Sequence, residues 1–294
     1  MKALVCLLLA FMAAAARADG DAAVPASGPA SVPAAPGAPA APASAAAGPV
    51  AEPVYHYVLG LQYQLGPEAP GAARSSGHVA PVWALRWGRL RLSNAGGSSL
   101  MGFGTMVYGP GASADLLGGK DWHVGAALRV DSGRDSNAAD STRGLPGVRR
   151  TVRGRVFASW APAPDLLLSA SLSQDLLGRG GGLLGGASAD WRLAHDRTSE
   201  WTLGAGLGGA DAAYMQSYYG VMPAGAAATG LRPYRPSGGL DRAYTALACT
   251  RALDRHWITY ASVSAGRLLG PAAASPLDAR PLGLGVSLRL AYRR

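Results

Sequence analysis

From about Tyr55 to Tyr292 apolar side chains return at every second residue, and that beat restricts the fold more than anything else in the chain. In the last segment Leu282, Leu284, Val286, Leu288, Leu290 and Tyr292 share one face, while Gly283, Gly285, Ser287, Arg289 and Ala291 share the other. Successive strand residues point to opposite faces, so this segment has one oily side and one small or polar side. Its length, at about 3.3 Å per residue and tilted, just crosses the hydrocarbon layer of a bilayer. A strand of a soluble sandwich has the same pattern. About twelve such segments behind an export signal instead predict an all-β fold, a transmembrane antiparallel β-barrel.

The export signal is residues 1–18. Lys2 supplies the charged start, Leu4 to Ala16 the apolar run, and Ala16-Arg17-Ala18 a small-x-small cleavage site. Cleavage removes two of the 27 basic residues and none of the 18 acidic ones, which leaves a charge of +7. Lys120 is then the only lysine, and Cys249 the only cysteine, so an internal disulfide is excluded. The basic balance lacks the basic-aromatic clusters of nucleic-acid binders. Lipopolysaccharide phosphates and anionic wall polymers fit an exported chain better than nucleic acid. Residues 19–53 are an Ala/Pro tether with too little apolar bulk to form a core. Extended, such a tether spans about 100 Å at roughly 3.1 Å per residue. Residues 54–294 form the barrel domain.

Twelve strand segments can be counted. They begin with Tyr55–Gln64, the segment around Trp83 to Trp87, Leu90–Leu92 and a Gly-softened fourth at Met101–Tyr108. Trp122–Asp131, Val152–Trp160, Leu166–Leu172, Leu184–Ala194, Trp201–Leu207, Tyr244–Arg251, Trp257–Ala265 and Leu282–Tyr292 follow. An even count suits a barrel with both termini in the periplasm, where short turns alternate with long outside loops. Ala161–Pro164, His195–Ser199 and Ala252–Arg255 are short; Gly66–Gly77, Ser132–Gly147, Ala210–Gly239 and Arg267–Arg280 are long. Gly109–Lys120 breaks the alternation, being long where a short turn is due, so ten or fourteen strands remain open.

The faces assigned inward are rich in Gly and Ser and carry Arg86, Arg129, Asp131, Arg153, Arg155 and Arg289. An inward arginine meets water or a luminal acid, whereas a lipid-facing one costs several kcal/mol near the midplane. Pairing within a filled lumen is favoured over a selectivity ring.

Motifs for chemistry are weak. Gly204 to Gly209 satisfies GxGxxG, but inside a strand and with no helix after it. The histidines are scattered and offer no metal-ligand spacing. His195-Asp196 is the single adjacent His/Asp pair and falls in a predicted turn. Nothing supplies an oriented nucleophile and base, so the chain reads as non-enzymatic and without a cofactor.

The irregular segment Ala210 to Leu240 carries Tyr214, Tyr218, Tyr219 and Tyr234, with Gln216 among them as a further contact candidate, and four tyrosines are too many for a loose solvated connection. It either folds inward as a plug or offers a contact surface outside. Its pattern, Tyr-Met-x-x-Tyr-aromatic-Gly-Val and then small-Gly-Leu-x-x-Tyr with Gly-Leu, resembles the MipA/OmpV family of proteobacterial outer-membrane proteins. Asp131-Ser132-Gly133-Arg134, Gly144-Leu145, Arg86-Trp87-Gly88-Arg89 after Pro81, and Ser275-Pro276-Leu277 match as well. Tyr219 stands where Phe is usual, Thr229 where Ser is, and Tyr292-Arg293-Arg294 replaces a Tyr-x-Phe ending. The resemblance implies an outer-membrane barrel. The member that names the family is a scaffold joining a lytic transglycosylase to a bifunctional peptidoglycan synthase. A scaffold for murein-remodelling enzymes is thus the first reading. The alternative is a narrow pore or surface-exposed barrel with a transport, adhesion or antibiotic/osmotic-response role.

Overall fold

The structure is a computed structural model that describes residues 55–68, 71–94, 111–137 and 142–294. The export signal, the tether and Met101–Tyr108 lie outside those residues. Twelve antiparallel strands form one closed sheet: β1 Tyr55–Pro67, β2 Ser75–Trp87, β3 Leu90–Ser93, β4 Gly111–Gly118, β5 Trp122–Asp131 and β6 Thr151–Ala163, then β7 Leu166–Asp175, β8 Leu183–His195, β9 Ser199–Ala210, β10 Gly239–Ala252, β11 Trp257–Leu268 and β12 Leu282–Arg293. Each strand pairs with its sequence neighbours, and β1 closes on β12 from Val58↔Arg293 to Leu65↔Val286.

The two-residue beat maps onto two environments. Leu59, Leu61, Leu128, Val156, Leu172, Leu284 and Leu290 are exposed on the outer wall. Their strand neighbours Val58, Gln62, Ala127, Arg155, Phe157, Ser173 and Arg289 are buried inside. This inversion of the usual soluble pattern is what a lipid-facing wall requires. Glycines line the inner wall where strands or rings come close: a Cβ on Gly60 would overlap the Ala291 backbone, and one on Gly206 would lie 2.5 Å from the Tyr244 ring.

One end of the barrel holds the chain termini of the sheet and only short turns. Gly88, at φ +57, and Arg89 join β2 to β3. Asp196 closes the β8–β9 turn by accepting from the Thr198 and Ser199 amides at 2.7 and 2.8 Å and from both of their hydroxyls. Those bonds hold its carboxyl well below the usual carboxylate range. Asp254 repeats the device for His256 and Trp257, both at 2.7 Å. The other end carries the long connections.

Two expectations change. The fourth strand is Gly111–Gly118, which lies between β3 and β5 in the sheet. Gly109–Lys120 is therefore mostly wall, its turn is short as the alternation demands, and the count is twelve. The pattern was hidden because a bulge between Asp115 and Leu117 breaks the beat and leaves Leu116 and Leu117 both exposed. Asp115 points inward to a paired contact with Arg91, at 3.0 and 2.7 Å. The β1–β2 loop is also shorter than Gly66–Gly77, because β1 runs to Pro67 and β2 starts at Ser75.

All seven tryptophans lie toward the short-turn end, and six of them (Trp83, Trp87, Trp122, Trp160, Trp191 and Trp257) are exposed. They form a girdle at one membrane interface.

The face assignment predicts unequal results for neighbouring substitutions. Leu128→Arg places a charge in lipid at about 2–4 kcal/mol near the midplane, while Arg129→Leu changes only the lumen. The yield of heat-modifiable, membrane-inserted protein should fall sharply for the first and little for the second. Equal yields would mean that the register is wrong.

Candidate functional site

The connection from β9 to β10 folds into a lid at the long-loop end. Asp211 starts helix α1 (Ala212–Tyr219), its side chain accepting from the Tyr214 amide at 2.8 Å as an N-cap. Tyr214 and Tyr218, one turn apart, stack at 4.2 Å between centroids. Helix α2 (Pro223–Thr229) begins on a proline and ends at Gly230, whose left-handed φ of 72° suits a C-cap. Val221 and Tyr234 exchange both backbone hydrogen bonds at 2.9 Å, which brings the two sides of α2 together.

Two of the other long loops, those between β5 and β6 and between β11 and β12, hold this segment by specific bonds. The last carbonyls of a helix lack partners within it. Here the Arg134 guanidinium donates to the Tyr218 carbonyl at 2.7 Å and the Ser275 hydroxyl to that of Tyr219 at 2.6 Å. A second Arg134 nitrogen donates to the Pro146 carbonyl at 3.1 Å. The Tyr234 hydroxyl donates at 2.8 Å to the carbonyl of Pro271, within the short helix α3 (Gly270–Ala273). Two apolar clusters fill the space beneath. Tyr214, Met215 and Tyr219 pack on Leu268 and Ala272, and Val221 and Ala226 pack on Leu145 and Leu277.

The lid is also tied to the wall. The Tyr218 hydroxyl donates to Asp131 Oδ1 at 3.2 Å, and Asp131 Oδ2 takes the Arg153 Nε–H at 2.7 Å. The Arg153 guanidinium lies 5.5 Å from the centre of the Tyr214 ring and donates to the Gly181 and Gly182 carbonyls. Burial pushes the Tyr214, Tyr218 and Tyr219 hydroxyls above tyrosine's ordinary range, so these three phenols stay un-ionised at physiological pH. Burial likewise pulls the Arg134 guanidinium below its usual value.

Of the residues singled out from sequence, Tyr214, Tyr218, Tyr219, Tyr234, Asp131 and Arg153 meet here. Gln216 does not: its amide faces Met222 Sδ at 3.5 Å. Arg155 sits deeper in the lumen, donating to Ser171 Oγ at 2.6 Å, and Arg129 lies opposite Arg153 across the β5–β6 pair. Arg289 stacks over the Tyr260 ring at 4.5 Å, and Arg86 is near the short-turn end opposite Arg91. Asp131, Arg129, Arg153 and Arg155 thus cluster on β5 and β6 while Arg289 and Arg86 lie apart from them, and the six make no single ring. Arg134 and Ser275 were missed as site residues, although both stand in the motifs that carry the family resemblance. Among the described residues no group of three or more His, Cys, Asp or Glu is placed to hold a metal ion.

The sequence profile of the family described as "MltA-interacting protein MipA" matches residues 59–294, almost the whole barrel and all of the lid. The chain belongs to that family. Within this family member, the lid is built from the residues of its Tyr-Met-x-x-Tyr-aromatic-Gly-Val motif. No curated relative matches the chain. Similar solved structures include the NanC porin, at 10% identity and TM-score 0.41, covering 79% of this chain and 98% of that one. An outer membrane channel from Pseudomonas putida F1 matches at 13% identity and TM-score 0.41, covering 85% and 100%. The KdgM porin matches at 8% identity and TM-score 0.35, covering 80% and 98%.

Arg134→Ala removes the donor from two carbonyls, a loss of about 1.5–3 kcal/mol for bonds to a charged group. Hydrogen exchange across residues 214–221 should then speed up by roughly ten- to a hundredfold. Gln216→Ala should leave it unchanged. Equal exchange in both variants would show that the Arg134 bonds do not seat the lid.

Proposed function

We propose that this chain is an outer-membrane barrel, neither catalytic nor conducting, that serves as a scaffold for murein-remodelling enzymes. The observation that carries this reading is the family match over residues 59–294, because the family's description names an interaction with MltA. On this reading one partner is a lytic transglycosylase, and the family resemblance adds a bifunctional peptidoglycan synthase as the second. The apolar outer wall, the closed even-numbered sheet and the tryptophan girdle support the membrane setting. The lid supports the non-conducting part: a folded, buried and multiply bonded segment at the mouth leaves little room for an aqueous path.

Scaffolding needs surface on the periplasmic side, the end with short turns. With Gly111–Gly118 in the wall, that surface reduces to tight turns and to the tether of residues 19–53. Deleting the tether should preserve the barrel and abolish co-purification of murein enzymes from solubilised envelopes. Retained co-purification moves the contact to the turns; its absence from the intact protein removes the scaffold reading altogether.

The pore alternative is decided separately. In planar bilayers the intact protein should pass little current, and excising Met215 to Pro236 should open a measurable channel. Steady open-channel currents from the intact protein would put the pore reading first.

A further inference from the structure

The two rims of the outer wall differ in chemistry. All the tryptophans lie toward the short-turn rim, which also exposes Arg89, Arg197, Arg251 and Arg255; the long-loop rim exposes Arg150, Arg179 and Arg267 without tryptophan beside them. Two of these are held together. The Arg179 guanidinium donates to the Arg150 carbonyl at 2.6 Å, and the Arg179 amide is anchored on Asp175 Oδ2 at 2.6 Å. Asp175 does not compete for the guanidinium groups. Its carboxylate is buried and occupied by the Thr151 hydroxyl and by the amides of Leu177, Arg179 and Gly181. The loop from β7 to β8 is thereby fixed before any ligand arrives.

Apolar wall adjoins the pair of arginines. Leu176 lies over Gly154, where an added Cβ would approach its methyl carbon to 3.2 Å, and is 55% exposed; Leu177 is 49% exposed. Leu172 and Val156 continue the patch down the wall. Such an arrangement matches a molecule with phosphate at the interface and acyl chains below it.

We propose that this rim is a docking site for a phosphorylated, acylated glycolipid of the outer leaflet. Arg150 and Arg179 take a phosphate, and Leu176 and Leu177 lie against an acyl chain. The proposal rests on the outer-membrane reading and adds to it the site and the two recognised groups.

The test is an equilibrium titration of the detergent-solubilised full chain with fluorescent bisphosphorylated lipid A. At about 1 kcal/mol per arginine, Arg150→Gln/Arg179→Gln should weaken binding roughly thirtyfold, while Arg232→Gln/Arg235→Gln, on the exposed lid, should change it by less than about twofold. Leu176→Ala/Leu177→Ala should weaken binding too, and inorganic phosphate should fail to displace the probe. Equal losses for the rim and lid pairs would overturn the site in favour of general attraction to a basic surface. Displacement by inorganic phosphate would make it a phosphate site without lipid. Absence of saturable binding to folded protein would also overturn it. Arg179→Gln alone keeps the backbone anchor on Asp175 and serves if the double variant does not fold. Folding is read by the mobility shift on boiling and by insertion into vesicles. A wild-type chain that does neither refutes the membrane reading, whereas a folded, inserted barrel without binding refutes only this site.

Discussion

A strand edge in hydrocarbon has no water to satisfy its amides and carbonyls, and each unmade bond there costs several kcal/mol. The seam between β1 and β12 removes the last two edges. The other features of the wall follow from it. Closure demands that every strand cross the layer, which sets strand length; antiparallel crossing from terminus to terminus demands an even number. Lipid on one side and the lumen on the other then impose the two-residue beat. Charges such as Arg155 and Arg289 fit only on the inner face.

This is also why the wall was legible from sequence and the lid only in outline. Alternation is a local property, so inward and outward faces could be read along β1, β5, β6 and β12 without knowing which strands pair. Reading failed at β4, where the local property fails: Gly111-Ala-Ser-Ala has little bulk, and the bulge at Asp115 puts two leucines outside in succession. The crowding of tyrosines between Ala210 and Leu240 revealed a folded segment. Its fastenings could not be read, because Arg134, Pro271 and Ser275 are distant in sequence and belong to other loops. Gln216, drawn from the same motif stretch as Tyr214 and Tyr218, sits apart because only the residues of one helix face meet the wall.

The lid and the wall meet on a small set of charges. Asp131 accepts from Arg153 and Tyr218 as well as from the Gly133 amide, so one carboxylate joins β5, β6 and α1. Truncating it would leave Arg153 buried without its acid, a larger penalty than the loss of any one bond to the lid. The same arginine steadies the β7–β8 loop through the Gly181 and Gly182 carbonyls, so the lid and the lipid-facing rim share a foundation.

The lid's bonds span long stretches of chain: Arg134 and Tyr218 are 84 residues apart, Asp131 and Tyr218 87, and Tyr219 and Ser275 56. None can form until the strands between them have taken their places. A register slip of two residues would move an acceptor such as Asp131 by about 7 Å along the barrel, out of reach of the tyrosine. A seated lid is therefore a record of correct assembly, legible at the long-loop end of the barrel. Proteases would meet loose tyrosines on a misassembled chain and a closed surface on a finished one.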